Sequence, residues 1–234
     1  MGAGCQRTDT REAVPQVAAS AAVSTASVAT LQTAAGMEAP RHVEFGSATP
    51  SEAARTVAER AVVSNDAGKL PFLIVDKAMA RVLAFDAEGR FIGDTAALLG
   101  SARGDDSAPG IGDKPIARIR PEERTTPAGR FVAELGENTH GEDILWVDYD
   151  NAVSMHRVRA VKASERRLQR LASNTVDDNR ISYGCINVPA PFFDNVVKPL
   201  FERSNGVVYV LPETRSVDSL FVKVPVASLR QTRQ

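Results

Sequence analysis

The chain has 234 residues, with 28 Lys and Arg against 29 Asp and Glu, so a formal net charge of −1 gives it no positive footprint for nucleic acid or another polyanion. No run of 18 apolar residues offers a membrane-spanning helix. Hydrophobic residues make up 43%. Once the compositionally distinct first fifth is set aside, that supplies the core of a single domain of roughly 190 residues.

The chain begins MGAGCQ. Its Ala-Gly-Cys triplet resembles the end of a bacterial lipoprotein signal, although the charged and apolar segments that precede such a site do not stand before it. The triplet is either a remnant of such a start, in which case Cys5 would tether the chain to a membrane, or an ordinary N-terminal cysteine. Gly2 does not open a myristoylation motif, because Gln6 stands where Ser or Thr is needed. From Gln6 to Pro40 the sequence is rich in Ala, Ser, Thr and Val, with little large apolar area to offset the entropy of ordering it. Residues 1–45 are therefore expected to form a flexible N-terminal tether.

From Thr49 the pattern changes. TPSEAARTVAERAVVSN (49–65) offers Thr49 or Ser51 as a helix N-cap followed by Ala-rich helical spacing, so a helix precedes the core. Short apolar or β-branched runs bounded by Gly, Asp, Asn or Pro then predict strands at 71–76, 80–86, 90–95, 129–135, 143–150, 152–159, 185–189 and 206–212. Many short strands with few helices give a mainly β fold, a β-sandwich or barrel-like core. The Gly, Pro and charge-rich stretch 101–125 is long enough to be a lid over a site, with disorder as the alternative. In VKASERRLQRLAS (161–173), Leu168 and Leu171 form a narrow apolar stripe on a basic helix that would cap the sheet. The folded domain is expected over 46–215, with 216–234 as a C-terminal extension.

Two cysteines, Cys5 and Cys185, lie at opposite ends of the chain and are not expected to pair. The three histidines, His42, His140 and His156, lack zinc-ligand spacing, so neither a metal nor a cofactor is expected. Most buried cysteines are inert small hydrophobes. Alternation argues against that role for Cys185. Its strand sends Ile186 and Val188 to one face and Cys185 and Asn187 to the other, so an inward apolar pair turns the thiol outward. On the strand before, Ser154, His156 and Val158 share a face and Val153, Met155 and Arg157 point away.

SYGCIN (182–187) resembles the Ser-His-Gly-Cys-apolar-Asn signature of the L,D-transpeptidases, the YkuD-type catalytic domains, with Tyr183 in place of histidine. TPAGRF (126–131) is similar to their Thr-Pro-x-Gly-x-Phe segment, and LIVDKAMARVLAFDAEGRF resembles their opening strand pair. The three occur in the family's order between about Pro71 and Pro212. The resemblance implies an L,D-transpeptidase-like β-sandwich with a preceding helix. His156 and Cys185 stand further apart than is usual for the family, and the excess matches 162–173, read as a helical insertion before the catalytic cysteine.

The resemblance further implies a cysteine acyltransferase acting on peptidoglycan stem peptides in the bacterial cell envelope. Cys185 would be the nucleophile and His156 its base, with His140 as the rival base in a loop. The Arg157 carbonyl would orient the imidazole. Backbone N–H groups around Tyr183, Gly184 and Cys185 would hold the oxyanion, and Ser182 and Asn187 would fix the motif. Arg180 stands near the motif and could meet a stem carboxylate, as could Arg118, Arg120 and Arg124. The acceptor would be a second stem amine or a wall-anchored protein. Water in its place would make a carboxypeptidase or hydrolase, and loss of activity through Tyr183 would leave a wall-binding module. The expected state is a monomer.

Overall fold

A computed structural model of the protein describes residues 42–221. Among the described residues ten strands are present: β1 (Phe72–Asp76), β2 (Arg81–Phe85), β3 (Phe91–Ala96), β4 (Leu99–Gly100), β5 (Gly129–Glu137), β6 (Asp143–Asp148), β7 (Val153–Arg157), β8 (Arg180–Ser182), β9 (Ile186–Val188) and β10 (Gly206–Val210). The helices are α1 (Glu52–Val63), α2 (Arg167–Leu171), α3 (Ala190–Phe192) and α4 (Lys198–Phe201). Eight strands form one sheet in the order β3-β2-β1-β10-β5-β6-β7-β9, and β4 pairs with β8 separately. The fold is mainly β, one large sheet with few helices.

The strand alternation explains how this sheet is covered on both sides. In β1, Phe72 and Ile74 face α1 with Val207 and Tyr209 of β10, whereas Leu73 and Val75 face the opposite core with Val208 and Val210. Both strands are buried throughout, as expected where each face is packed. Helix α1 supplies one cover. Ala54, Val57, Ala58, Ala61 and Val62 recur at spacings of three and four and are buried, giving a single apolar stripe. Ser51, of the two candidate caps, is the N-cap: its Oγ accepts from Ala54 N at 3.1 Å and donates to Asp76 at 2.5 Å, pinning the helix to the end of β1.

The other core joins β1, β2 and β10 to Leu145, Val147, Met155, Ile186 and Val188 of β6, β7 and β9. Such strands can share a core because the sheet folds over on itself. Strand β5 belongs to both halves, pairing with β10 through Gly129–Ala133 and with β6 through Glu134–Glu137. The two edges then meet: just beyond β3, Leu98 exchanges two 2.8 Å backbone hydrogen bonds with Asn187 of β9. The sandwich is thus one nearly closed sheet.

Residues 190–201, given no element from the sequence, run through α3, a π-helical turn at Phe193–Val197 and α4. They bury Phe192, Phe193, Val197 and Phe201 against the inner core. The expected helix over 161–173 is instead a 3-10 turn at Ala163–Glu165 followed by the five-residue α2. Arg166, at a φ of 50° in the left-handed region, breaks it between the two. Leu168 is exposed there, so the anticipated apolar stripe does not cap the sheet.

The packed unit extends past both ends of 46–215. Val43 and Phe45 pack on the α1 side of the core, as do Leu220 and Phe221 of the 3-10 helix Val217–Phe221. The tether expected from residue 1 and the Cys5 anchor lie outside the described residues, apart from 42–45; the extension beyond Phe221 lies outside them too.

Candidate active site

Cys185, His156 and Asn187 line one cavity of about 70 Å³, where β7 and β9 run in parallel with His156 opposite Asn187. Ser182, Tyr183 and Gly184 form its rim, and segment 101–125 covers it with Ile111, Lys114, Ile119 and Glu123. Three 3-10 turns, at Ile111–Asp113, Ile116–Arg118 and Pro121–Glu123, give this cover a defined shape. Ile186 and Val188 are fully buried on the other face of β9, so alternation places the neighbouring Cys185 and Asn187 toward the cavity.

His156 Nδ1 lies 2.8 Å from Arg157 O. A carbonyl oxygen can only accept, so Nδ1 carries a proton, and in the neutral ring Nε2 presents the lone pair. The Arg157 side chain takes no part in the cavity. It pairs with Asp143 at 2.6 Å and Asp194 at 2.5 Å and lies 4.5 Å over the Phe193 ring. Asp143 is held down to about 2 chiefly by its hydrogen bond from Arg157, with burial opposing and Lys198 assisting.

The thiol is partly exposed and free of any disulfide. Ser154 Oγ lies 3.8 Å from Cys185 Sγ, and Sγ lies 3.7 Å from Ala152 O. The loop before it is tightly built. Ser182 Oγ donates to Cys185 O at 2.6 Å and accepts from Gly184 N at 3.1 Å. The Gly184 N–H expected to face an oxyanion is therefore already engaged within the loop. Gly184 itself has a φ of +127°, and a Cβ there would stand 2.8 Å from Thr125 O, so only glycine fits. Thr126 Oγ1 donates to Gly184 O at 2.8 Å and accepts from Gly100 N at 2.8 Å. Gly100 is equally constrained, since a Cβ would lie 2.2 Å from Arg124 O.

Tyr183 stands at the rim with the Arg124 guanidinium 4.1 Å from its ring centroid. Glu123 accepts from Lys114 at 2.6 and 2.8 Å and from Arg120 at 3.0 Å, and these bonds hold its carboxyl down to about 2. Among the described residues no cluster of metal-ligating side chains is present.

One expected position differs, and the rival base stays in its loop. Arg180 is a buried partner rather than a cavity residue: it pairs with Glu213 at 2.9 Å and donates to Lys77 O at 2.9 Å, away from the cavity lining. His140 sits exposed in the turn between β5 and β6, outside that lining.

Three residues with no role read from the sequence join the site or its support. Arg167 lines the cavity and donates to Asn187 Oδ1 at 2.6 Å; the spacing of 161–173 gave no sign of that partner. Thr126 stands in the TPAGRF segment, whose likeness to a motif marked it without a role. Lys77, fully buried, donates to Gly104 O at 2.5 Å, Asp105 at 3.0 Å and Thr126 O at 2.9 Å, tying both roots of the covering segment to the turn after β1.

No family model and no curated protein matches the chain. Structural neighbours include L,D-transpeptidases and a cell-shape protein. The structure of LdtMt1 in complex with imipenem is 16% identical with a TM-score of 0.34, over 62% of this chain and 60% of that one. The catalytic domain of the E. faecium L,D-transpeptidase is 19% identical with a TM-score of 0.32, over 61% of this chain and 98% of that one. The helical cell shape determining protein Pgp2 from Campylobacter jejuni is 11% identical with a TM-score of 0.40, over 72% of this chain and 58% of that one. The chain thus spans three fifths or less of the LdtMt1 and Pgp2 chains.

Proposed function

We propose that the protein is a cysteine acyltransferase of the L,D-transpeptidase kind, acting on peptidoglycan stem peptides in the bacterial cell envelope. One observation carries this reading: Cys185 and a histidine held in a single tautomer by a backbone carbonyl line the same cavity, next to the loop that carries the family-like motif. A thiol beside an imidazole base is the pairing needed to attack an amide carbonyl near neutral pH.

Cys185 Sγ would attack the carbonyl joining the third and fourth stem residues while its proton passes to His156 Nε2. The tetrahedral intermediate would collapse with cleavage of the amide C–N bond, and His156 would return the proton to the departing D-Ala amine. An amine of a second stem would then attack the thioester, forming the cross-link and releasing the thiol. Since Gly184 N–H is engaged by Ser182, Tyr183 and Cys185 would supply the main-chain donors for the oxyanion.

The test is incubation with purified stem peptides and separation of products by mass. Cross-linked dimers with loss of D-Ala support transfer. Trimmed monomers alone would assign a carboxypeptidase or hydrolase using the same thiol, and unchanged substrate with retained binding would assign a wall-binding module. Cys185→Ala is expected to abolish turnover and covalent labelling by carbapenem-like acylating agents; full activity in that variant would overturn the mechanism.

A further inference from the structure

We propose that Arg167 is a positioning residue that keeps Cys185 and His156 in their neutral forms by locking the Asn187 side-chain amide. The inference rests on the reading of Cys185 as nucleophile and His156 as base, and it concerns how that pair is held before substrate arrives.

The argument follows from which groups can donate. A guanidinium has no acceptor, so the Asn187 atom 2.6 Å from Arg167 Nη1 is its carbonyl oxygen. The amide NH2 therefore points the other way, toward Cys185 O and His156 Nε2, each at 3.3 Å. Nε2 must accept that contact, which agrees with a proton on Nδ1 facing Arg157 O. All four contacts are satisfied together only by a neutral imidazole.

Moving the thiol proton to Nε2 in the resting site would set N–H against N–H. Turning the Asn187 amide over would offer Oδ1 to the imidazolium, but would turn its NH2 group onto Arg167. Arg167 resists displacement because its Nε donates to Glu165 at 2.6 Å and its side chain is only 14% exposed. Other charged and titratable groups around the pair are accounted for. Glu142, just before β6, pairs with Arg159 at 3.1 Å. Lys114 and Glu123 in the covering segment pair with each other, Tyr183 lies under Arg124, and the Arg157 side chain is turned to Asp143 and Asp194. The thiol proton then leaves as the sulfur–carbon bond forms rather than beforehand, which keeps the free site sluggish toward stray electrophiles.

The experiment is the pH dependence of iodoacetamide alkylation, read by intact mass in the full chain carrying Cys5→Ser, where Cys185 is the remaining thiol. The Arg167-containing protein should titrate at or above the ordinary thiol value of about 8.5. Arg167→Met should move that limb toward acid by about one unit and raise the rate at pH 7 roughly tenfold. Arg167→Lys, which keeps a donor, should stay near wild type. Asn187→Asp, close in shape, places an acceptor toward Nε2 and should shift the limb the same way, which keeps the test open if the Met variant does not fold. Folded variants that titrate with wild type, or on its alkaline side, overturn the inference; a purely structural Arg167 would lower the melting temperature without moving the limb. The readout needs no stem peptide. Absence of any peptide product with the shift present would sink the acyltransferase reading alone, and product without the shift would sink this inference alone.

Discussion

Thr126 Oγ1 donates to Gly184 O across 2.8 Å, joining residues 58 positions apart in the chain, and the same oxygen accepts from Gly100 N. A trans peptide sets its N–H opposite its C=O, so the hydroxyl that holds Gly184 O also sets the direction of the Cys185 N–H. Lys77 holds Thr126 O from behind, so the aim of the proposed oxyanion donor is linked to the roots of the covering segment.

Thr126→Val should therefore affect both stability and chemistry. It leaves Gly100 N and Gly184 O buried without this partner, at a cost of about 2 kcal/mol. Denaturant midpoints should show that loss, and acylation of Cys185 by a carbapenem should slow by roughly tenfold as the donor loses its aim. Thr126→Ser should restore both. Unchanged acylation in the folded Val variant would show that the Cys185 N–H keeps its direction without the hydroxyl.

His156→Ala should lower acylation by roughly 10²-fold, the usual scale for a lost general base, whereas His140→Ala in the exposed β5–β6 turn should be near neutral. Single-turnover acylation rates compare the two directly. The reverse ranking would remove His156 from the mechanism.

Tyr183→Phe should retain acylation within about threefold, because the stacking beneath Arg124, worth about 1 kcal/mol, needs an aromatic face and not the hydroxyl. Tyr183→Ala, which removes that face, should be slower. A phenol is a poor base near pH 7, so the pH–rate profile of the wild type should lack a phenolic limb. Loss of acylation in a folded Phe variant would place the hydroxyl in the chemistry.

Asp105 predicts an acid limit to stability. Burial pushes its carboxyl up, but hydrogen bonds from Thr214, the Glu213 backbone and Lys77 outweigh this and hold it far below the usual carboxylate range. A carboxyl lowered on folding contributes fully above its unfolded value of about 3.9, and that contribution fades as the pH falls further. Denaturant midpoints should thus drop below about pH 4. Asp105→Asn leaves the Lys77 ammonium with Glu213 as its remaining anion, at 3.5 Å. That variant should lose about 3 kcal/mol at pH 7 and show a shallower acid loss. An equal acid slope in the variant would place the limit elsewhere.

Local periodicity records the buried face in β1, β10, α1 and β9, though not over 161–173. Alternation in β1 and β10 divides their apolar side chains between two cores, the spacing of Ala54, Val57, Ala58, Ala61 and Val62 gives α1 its buried stripe, and inward Ile186 and Val188 leave Cys185 to the cavity. Those are local properties, fixed by the periods of strand and helix. Tertiary structure alone decided the partners. Leu98 meets Asn187 because the sheet closes on itself, Arg180 turns from the cavity to a buried Glu213, and Arg167 reaches Asn187 from a stretch whose spacing suggested a longer helix. The left-handed Arg166 that shortens this helix carries no helix-breaking side chain to announce it. A periodic pattern records the side of an element that is buried, but not the distant residue that buries it. Pairing across 20 to 100 positions is set by sheet register and closure, which the linear order of residues does not contain.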